Sequence, residues 1–167
     1  RSEFLTLGEK AANSCNVQIT NRELLETLGS LHVRTSFQQN VLQHSIEVGQ
    51  LMGLLAAELQ LDATIARKIG LLHDIGKALP PALAGSHAIV GASFAKKCGE
   101  KENITNGIGC HHDEVTLSSF EAALCKVADT ISASCRGARL QDQKLEKIAA
   151  LEAIANSMKG VHEAYAI

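Results

Sequence analysis

Both prolines of this 167-residue chain stand side by side, at Pro80-Pro81. Proline fixes φ and removes a backbone donor, so it is the residue that most often ends a helix. Residues 1–79 and 82–167 are therefore long stretches without the strongest helix breaker. Ala, Leu, Glu, Lys and Gln fill them, and aromatic residues make up only 3%. No run alternates β-branched with polar residues in the way a half-buried strand does. Good helix formers in uninterrupted stretches predict an all-α fold. The length suits one domain with a true core, so residues 1–167 are read as a single domain.

The spacing predicts where the helices fall. Asn21 caps a segment that reaches Gly29. Ser36 to Gln60 is the longest periodic segment, with Val41, His44, Val48, Leu51 and Leu55 on one face. Asp62 caps the next, through Ile65, Ile69 and Leu72 to near Gly76, and the two prolines then force a loop. Ser86 caps a helix ending at Gly99. Another holds Ile104 and Ile108 and reaches His111-His112. Ser118 or Ser119 opens a helix with Phe120, Leu124, Val127 and Ile131 on one face, and a last helix runs from about Leu140 to Met158. The Gly49-x-x-x-Gly53 pair suits close helix packing, within one chain or between two.

Charge and cysteine narrow the function. A net charge of −2 gives no general attraction for polyanions, so nucleic-acid binding must rely on local groups. The 5 cysteines include no Cys-x-x-Cys pair, which argues against a disulfide scaffold or zinc ribbon and for a reducing cytoplasm. No apolar run is long enough to span a membrane and no signal peptide is present. The chain starts at Arg1 and stops at Ile167 in an apolar stretch, so it reads as a fragment of something longer.

The chemistry sits where polar residues interrupt apolar faces. His44 lies on the stripe of the long helix. His73-Asp74 follow Leu71-Leu72, and Asp129 stands among Val127, Ala128 and Ile131. An ionised carboxylate on a buried face is costly unless it is paired or metal-bound. One such residue is usually a hydrogen-bonded structural group. Three helices each presenting one point to a shared polar object, and imidazole with carboxylate is the ligand set of a divalent transition metal. No His-Glu-x-x-His, Gly-x-Ser-x-Gly or phosphate-cradling glycine loop occurs. Cys110 beside His111 makes a poor nucleophile–base pair, because adjacent helical residues point about 100° apart.

The series His44, His73-Asp74, Asp129 resembles the ligand order of the HD-domain metal-dependent phosphohydrolases, and Gly70-Leu71-Leu72-His73-Asp74-Ile75-Gly76-Lys77 resembles their signature. Arg34-Thr35-Ser36-Phe37, the segment Asn40 to Val48, Gly85-Ser86-His87, His111-His112 and the closing Tyr165-Ala166-Ile167 are similar to the HD domain of the bacterial ribonuclease Y family. Departures are Gln38 and Asp113 where that family usually has glycine, Cys135-Arg136 where it commonly has Arg-Pro, and a Leu79 to Ala84 loop without acidic residues.

The resemblance implies an HD helical bundle with its metal site at a junction of helices. It implies one metal on His44, His73, Asp74 and Asp129, and a second on His87, His111 and His112 with Asp74 as the bridge. The ions would be divalent: Mn, Mg, Fe or Zn. It places Lys77 near the reacting phosphate and Arg136 and Arg139 on the substrate backbone. The activity implied is endonucleolytic cleavage of single-stranded RNA in mRNA turnover. Two other readings stay open, a nucleotide phosphohydrolase of the diadenosine tetraphosphate kind and a non-catalytic dimerisation or binding module. The family further implies a cytoplasmic catalytic domain that makes no membrane contact itself. In the whole protein a membrane anchor at the inner face, a coiled coil and a KH domain would precede it. It also implies homo-oligomers and partners in RNA degradation.

Overall fold

A computed structural model describes residues 2–36, 39–80, 85–158, 160–161 and 165, with side chains of 135–151 outside the description. The chain forms two compact units, Arg1–Ser132 and Ala133–Ile167. The first holds α1 (Glu3–Ser14), α2 (Arg22–Ser30), a 3-10 turn at Leu31–Val33, α3 (Val41–Glu58), α4 (Ala63–Leu72), a 3-10 turn at Ile75–Ala78, α5 (His87–Lys97) and α6 (Glu102–Cys110). It also holds residues 120–132 of α7 (Phe120–Asn156), and residues 133–156 of that helix belong to the second unit. The fold is all-α, apart from a two-stranded antiparallel ribbon of β1 (Thr35–Ser36) and β2 (Gln39–Asn40).

The caps explain most of the helix starts. Ser2, Asn21, Asn40, Asp62 and Ser86 each accept a hydrogen bond from a backbone N–H in the first turn of the following helix. Asn40 as cap moves the start of α3 to Val41, later than the expected Ser36, because Thr35–Ser36 and Gln39–Asn40 pair as the ribbon. The helix expected to begin near Leu140 is instead part of α7, which runs unbroken to Asn156. Gly137 alone is too weak a breaker, at about 1 kcal/mol, to split a helix with no proline.

Small residues set how closely the helices pack. At the α3–α4 crossing, a Cβ on Gly70 would lie 2.8 Å from the Gly49 Cα, and one on Gly49 would lie 3.1 Å from the Arg67 carbonyl oxygen. A Cβ on Gly53 would meet the Arg67 side chain. Both glycines of the Gly49-x-x-x-Gly53 pair therefore pack within the chain. A core of Leu24, Leu28, Leu31, Val48, Met52, Ile69, Leu71, Leu72, Ile75 and Ile108, all fully buried, fills the space between α2, α3, α4 and α6. No helix among the described residues is long and apolar enough to cross a membrane.

The α7 face differs in part from the expectation, with Leu124 packed against the core as expected. Phe120, Val127 and Ile131 are exposed, while Ala122, Cys125, Ala128 and Ser132 are buried. Small residues are the ones that let this helix approach the rest of its unit.

Candidate metal centre

Four elements of the first unit deliver polar side chains to one place. His44 comes from the middle of α3, and His73 is the C-cap residue of α4 with Asp74 directly after it. His111 is the C-cap residue of α6, and Asp129 lies on α7. His44, His73, Asp74 and His111 are all buried, and Asp129 is half-buried. Asp129 Oδ1 is 3.0 Å from His44 Nε2 and 3.9 Å from His73 Nε2. Asp74 Oδ2 is 3.4 Å from His73 Nε2 and 3.9 Å from His44 Nε2. His44, His73 and Asp129 thus form a group whose ligand atoms all lie within 4.8 Å of one another.

A second group meets the same standard: His87, His111 and His112. His87 is the first residue of α5, capped by Ser86, and His87 Nε2 is 3.1 Å from His112 Nε2. The other oxygen of Asp74, Oδ1, is 3.3 Å from His87 Nε2. Asp74 therefore stands between the two groups and turns one oxygen to each. The second group is the more open, with His87 half-buried and His112 exposed. Lys77 follows on the 3-10 turn, and its Nζ donates to Asp74 Oδ2 at 2.7 Å.

Two of the rings are oriented by helix ends. The last carbonyls of a helix lack intrahelical donors. His73 Nδ1 donates to the Gly70 carbonyl at 2.8 Å, and His111 Nδ1 to the Ile108 carbonyl at 2.6 Å. In its neutral form each ring then carries its proton on Nδ1 and turns an Nε2 lone pair inward. His73 Nε2 and His111 Nε2 are buried and have no hydrogen-bond partner. Unpartnered buried nitrogens are unfavourable. They suit a divalent ion, which takes neutral imidazole and ionised carboxylate.

Electrostatics keep both carboxylates ionised. Burial opposes ionisation of Asp74, but His73, His87 and Lys77 outweigh it and hold the carboxyl well below the usual range. Asp129 is lowered too: burial raises it, and the His44 hydrogen bond and the charge of His73 outweigh that. Burial pulls His73 down, yet the charges of Asp74 and Asp129 leave it above its ordinary value. His111 falls to about 3 through burial and the neighbouring His73.

The loop after His112 is tied down. Asp113 sits at φ 63°, a left-handed conformation tolerated by Asp, and its carboxylate pairs with Lys126. The Asn106 side chain donates to the Thr116 carbonyl and accepts from the Ser118 N–H, and Ser86 Oγ donates to Glu114. Arg136 and Arg139, expected on the substrate side, lie outside the residues whose side chains are described. Sequence reasoning overlooked Ser132 and Glu47. Ser132 Oγ is 3.0 Å from His44 Nδ1 and donates to Glu47 Oε2 at 3.2 Å. Each stands three residues beyond a candidate ligand, Asp129 and His44, and that spacing was the available signal.

The HD domain family model matches residues 41–134, which include all of these histidines and aspartates. The chain is 48% identical to a ribonuclease Y of Protochlamydia amoebophila over 96% of its own length. It is 46% identical to the ribonuclease Y proteins of Oleidesulfovibrio alaskensis and Clostridium botulinum, again over 96%. It spans about a third of the length of these relatives, 31%, 31% and 32% in turn. No solved structure matches it. With the matched segment taking in both ligand groups and more than half of the chain, this protein belongs to the HD domain family.

Proposed function

We propose that this chain is the catalytic domain of a metal-dependent phosphodiesterase that cleaves single-stranded RNA, as in ribonuclease Y. The observation that carries the reading is the Asp74 carboxylate, turned to His44 and His73 on one side and to His87 on the other. One divalent ion would be held by His44, His73, Asp74 and Asp129, and a second by His87, His111, His112 and the shared Asp74. Mn, Mg, Fe and Zn all suit nitrogen and oxygen donors. Bound there, such ions would supply an activated water and neutralise charge on the phosphate oxygens.

The protein's own groups would prepare the site. Asp74 is kept ionised by its cationic neighbours and so is ready to bridge. The Nδ1 hydrogen bonds of His73 and His111 keep their Nε2 lone pairs inward. Lys77 uses one of its three N–H groups on Asp74, leaving two for a phosphate oxygen. The open edge at His87 and His112 gives a strand of RNA an approach that the buried edge at His73 does not. Arg136 and Arg139 would contact its backbone. In the whole protein this domain would follow a membrane anchor, a coiled coil and a KH domain, and act as an oligomer in mRNA turnover.

Elemental analysis of the purified chain tests the reading, paired with cleavage of single-stranded RNA by the native chain and Asp74→Ala. Bound divalent metal and cleavage lost in the variant are expected. No metal under any condition, or equal cleavage by both proteins, overturns it. Hydrolysis of dinucleoside polyphosphates but not RNA would move the substrate to a nucleotide. A metal-loaded chain that cleaves neither would leave a binding module.

A further inference from the structure

His44 poses a problem that His73 and His111 do not. Those two rings sit at helix ends, where free carbonyls accept their Nδ1 protons. His44 lies within α3, three residues after its start, where the preceding carbonyls are engaged in the helix ladder. Its other ring nitrogen faces Asp129 Oδ1 at 3.0 Å. Without an outer partner at Nδ1, a neutral imidazole in that position would place its single proton on Nε2 and donate it to the carboxylate. That tautomer would cover the lone pair a metal needs. Something must hold the proton at Nδ1.

We propose that Ser132 and Glu47 form a two-step relay that fixes His44 as the Nδ1–H tautomer and so presents its Nε2 lone pair to the metal. The proposal rests on the reading of the site as a metal centre. A serine hydroxyl has one proton. Ser132 donates that proton to Glu47 Oε2 at 3.2 Å, and its oxygen is then an acceptor for His44 Nδ1–H at 3.0 Å. Ser132 is buried, so the hydroxyl has little access to water as an alternative partner. Glu47 lies one turn beyond His44 on α3, and Ser132 lies about one turn beyond Asp129 on α7. The same two helices thus deliver the candidate ligands and the groups that orient one of them. Outer partners of this kind commonly change metal affinity by about 10–100-fold when removed. Ser132 and Glu47 are positioning residues and touch neither metal nor substrate.

The test reads the tautomer directly, by nitrogen-15 NMR of the His44 ring in the metal-free chain at a pH where the imidazole is neutral. Native chain should show Nδ1–H. Ser132→Ala should move His44 to Nε2–H and weaken Mn²⁺ binding, measured by calorimetry, about 10–100-fold. Ser132→Thr keeps the hydroxyl and should restore both. In Glu47→Gln the amide can donate to Ser132, freeing the serine proton for Nδ1, so Nε2–H should rise and affinity should fall several-fold. Glu47 is only half-buried, so this variant decides the matter should Ser132→Ala not fold. An unchanged tautomer in both Ser132→Ala and Glu47→Gln overturns the relay. A native chain that takes up no metal overturns the proposed function instead, and the tautomer result, obtained without metal, still decides the relay.

Discussion

At the residue scale, Asp74 is the position where most interactions meet. It faces His44, His73, His87 and Lys77 and is itself almost fully buried. Asp74→Asn removes the charge those groups surround. Breaking a buried pair by removing one member costs about 3 kcal/mol, and urea unfolding of the metal-free variant should show a loss of that order. RNA cleavage should fall by at least about 100-fold, since the two proposed ions would lose their shared ligand. The same groups set an acid limit. Asp74 and Asp129 have lowered folded pKa values, so their stabilisation is present above the ordinary 3.8 and is lost as pH falls below it. His111, lowered to about 3, loses stability over the range from 6.5 down to 3, because the unfolded ring takes up a proton first. His73 is raised above 6.5 and works the other way: its contribution is complete below 6.5 and is lost as pH rises through the folded value. These groups together predict a stability maximum of the metal-free chain near pH 6.5. Thermal melts across pH 3–9 check this, and a curve rising steadily down to pH 4 contradicts it.

At the element scale, the 3-10 turn after Asp74 and the start of α5 touch backbone to backbone. A Cβ on Gly76 would lie 1.9 Å from the His87 carbonyl oxygen and 3.0 Å from the Gly91 nitrogen. Gly76→Ala must push α5 away and carry His87 with it. It should destabilise by about 1–3 kcal/mol and lower the metal bound per chain by one. Gly109→Ala, two residues before His111, is the control. There the nearest atoms, Ala92 Cβ and Val115 Cγ2, lie at 3.4 Å, ordinary contact. It should leave metal content unchanged and gain up to about 1 kcal/mol from helix propensity. Elements also show where the sequence was readable. The capped helices α2, α4 and α5 were legible because Asn21, Asp62 and Ser86 are strong starting signals. His44, His73, Asp74 and Asp129 stood out as polar groups interrupting apolar stripes, and the structure brings them together. The helix α1 left less trace, since its buried residues are Leu5, Gly8, Ala11 and Ala12, mostly too small to mark a stripe. Size also misled on α7, where bulky Phe120, Val127 and Ile131 face outward and small Ala122, Cys125 and Ala128 face inward. Ser132, buried on the same face as these small residues, was overlooked. The two-residue strands Thr35–Ser36 and Gln39–Asn40 are too short for any periodicity to show.

At the scale of the whole molecule, an ion that binds only the folded chain stabilises it by about 2.7 kcal/mol at a hundredfold excess over Kd. For a chain of this size that corresponds to roughly 5–11 °C. Chelation should lower Tm by about that amount, and restoring Mn²⁺ should reverse it; an unchanged Tm counts against a folded-state site. Burial also protects the thiols. It pushes Cys15 up to about 11 and raises Cys110 and Cys125 as well. A thiol reagent at pH 8 should spare these three in the native chain and modify them promptly in guanidinium. The α3–α4 crossing at Gly49 and Gly70 has a wider consequence. It lies five residues after His44 and three before His73, and there two main chains rest against each other with no side chain between. The distance between these two histidines is thereby set by backbone, while the surrounding leucines and isoleucines set how firmly the unit holds together. Core substitutions can then raise or lower thermal tolerance while the spacing of His44 and His73 stays the same.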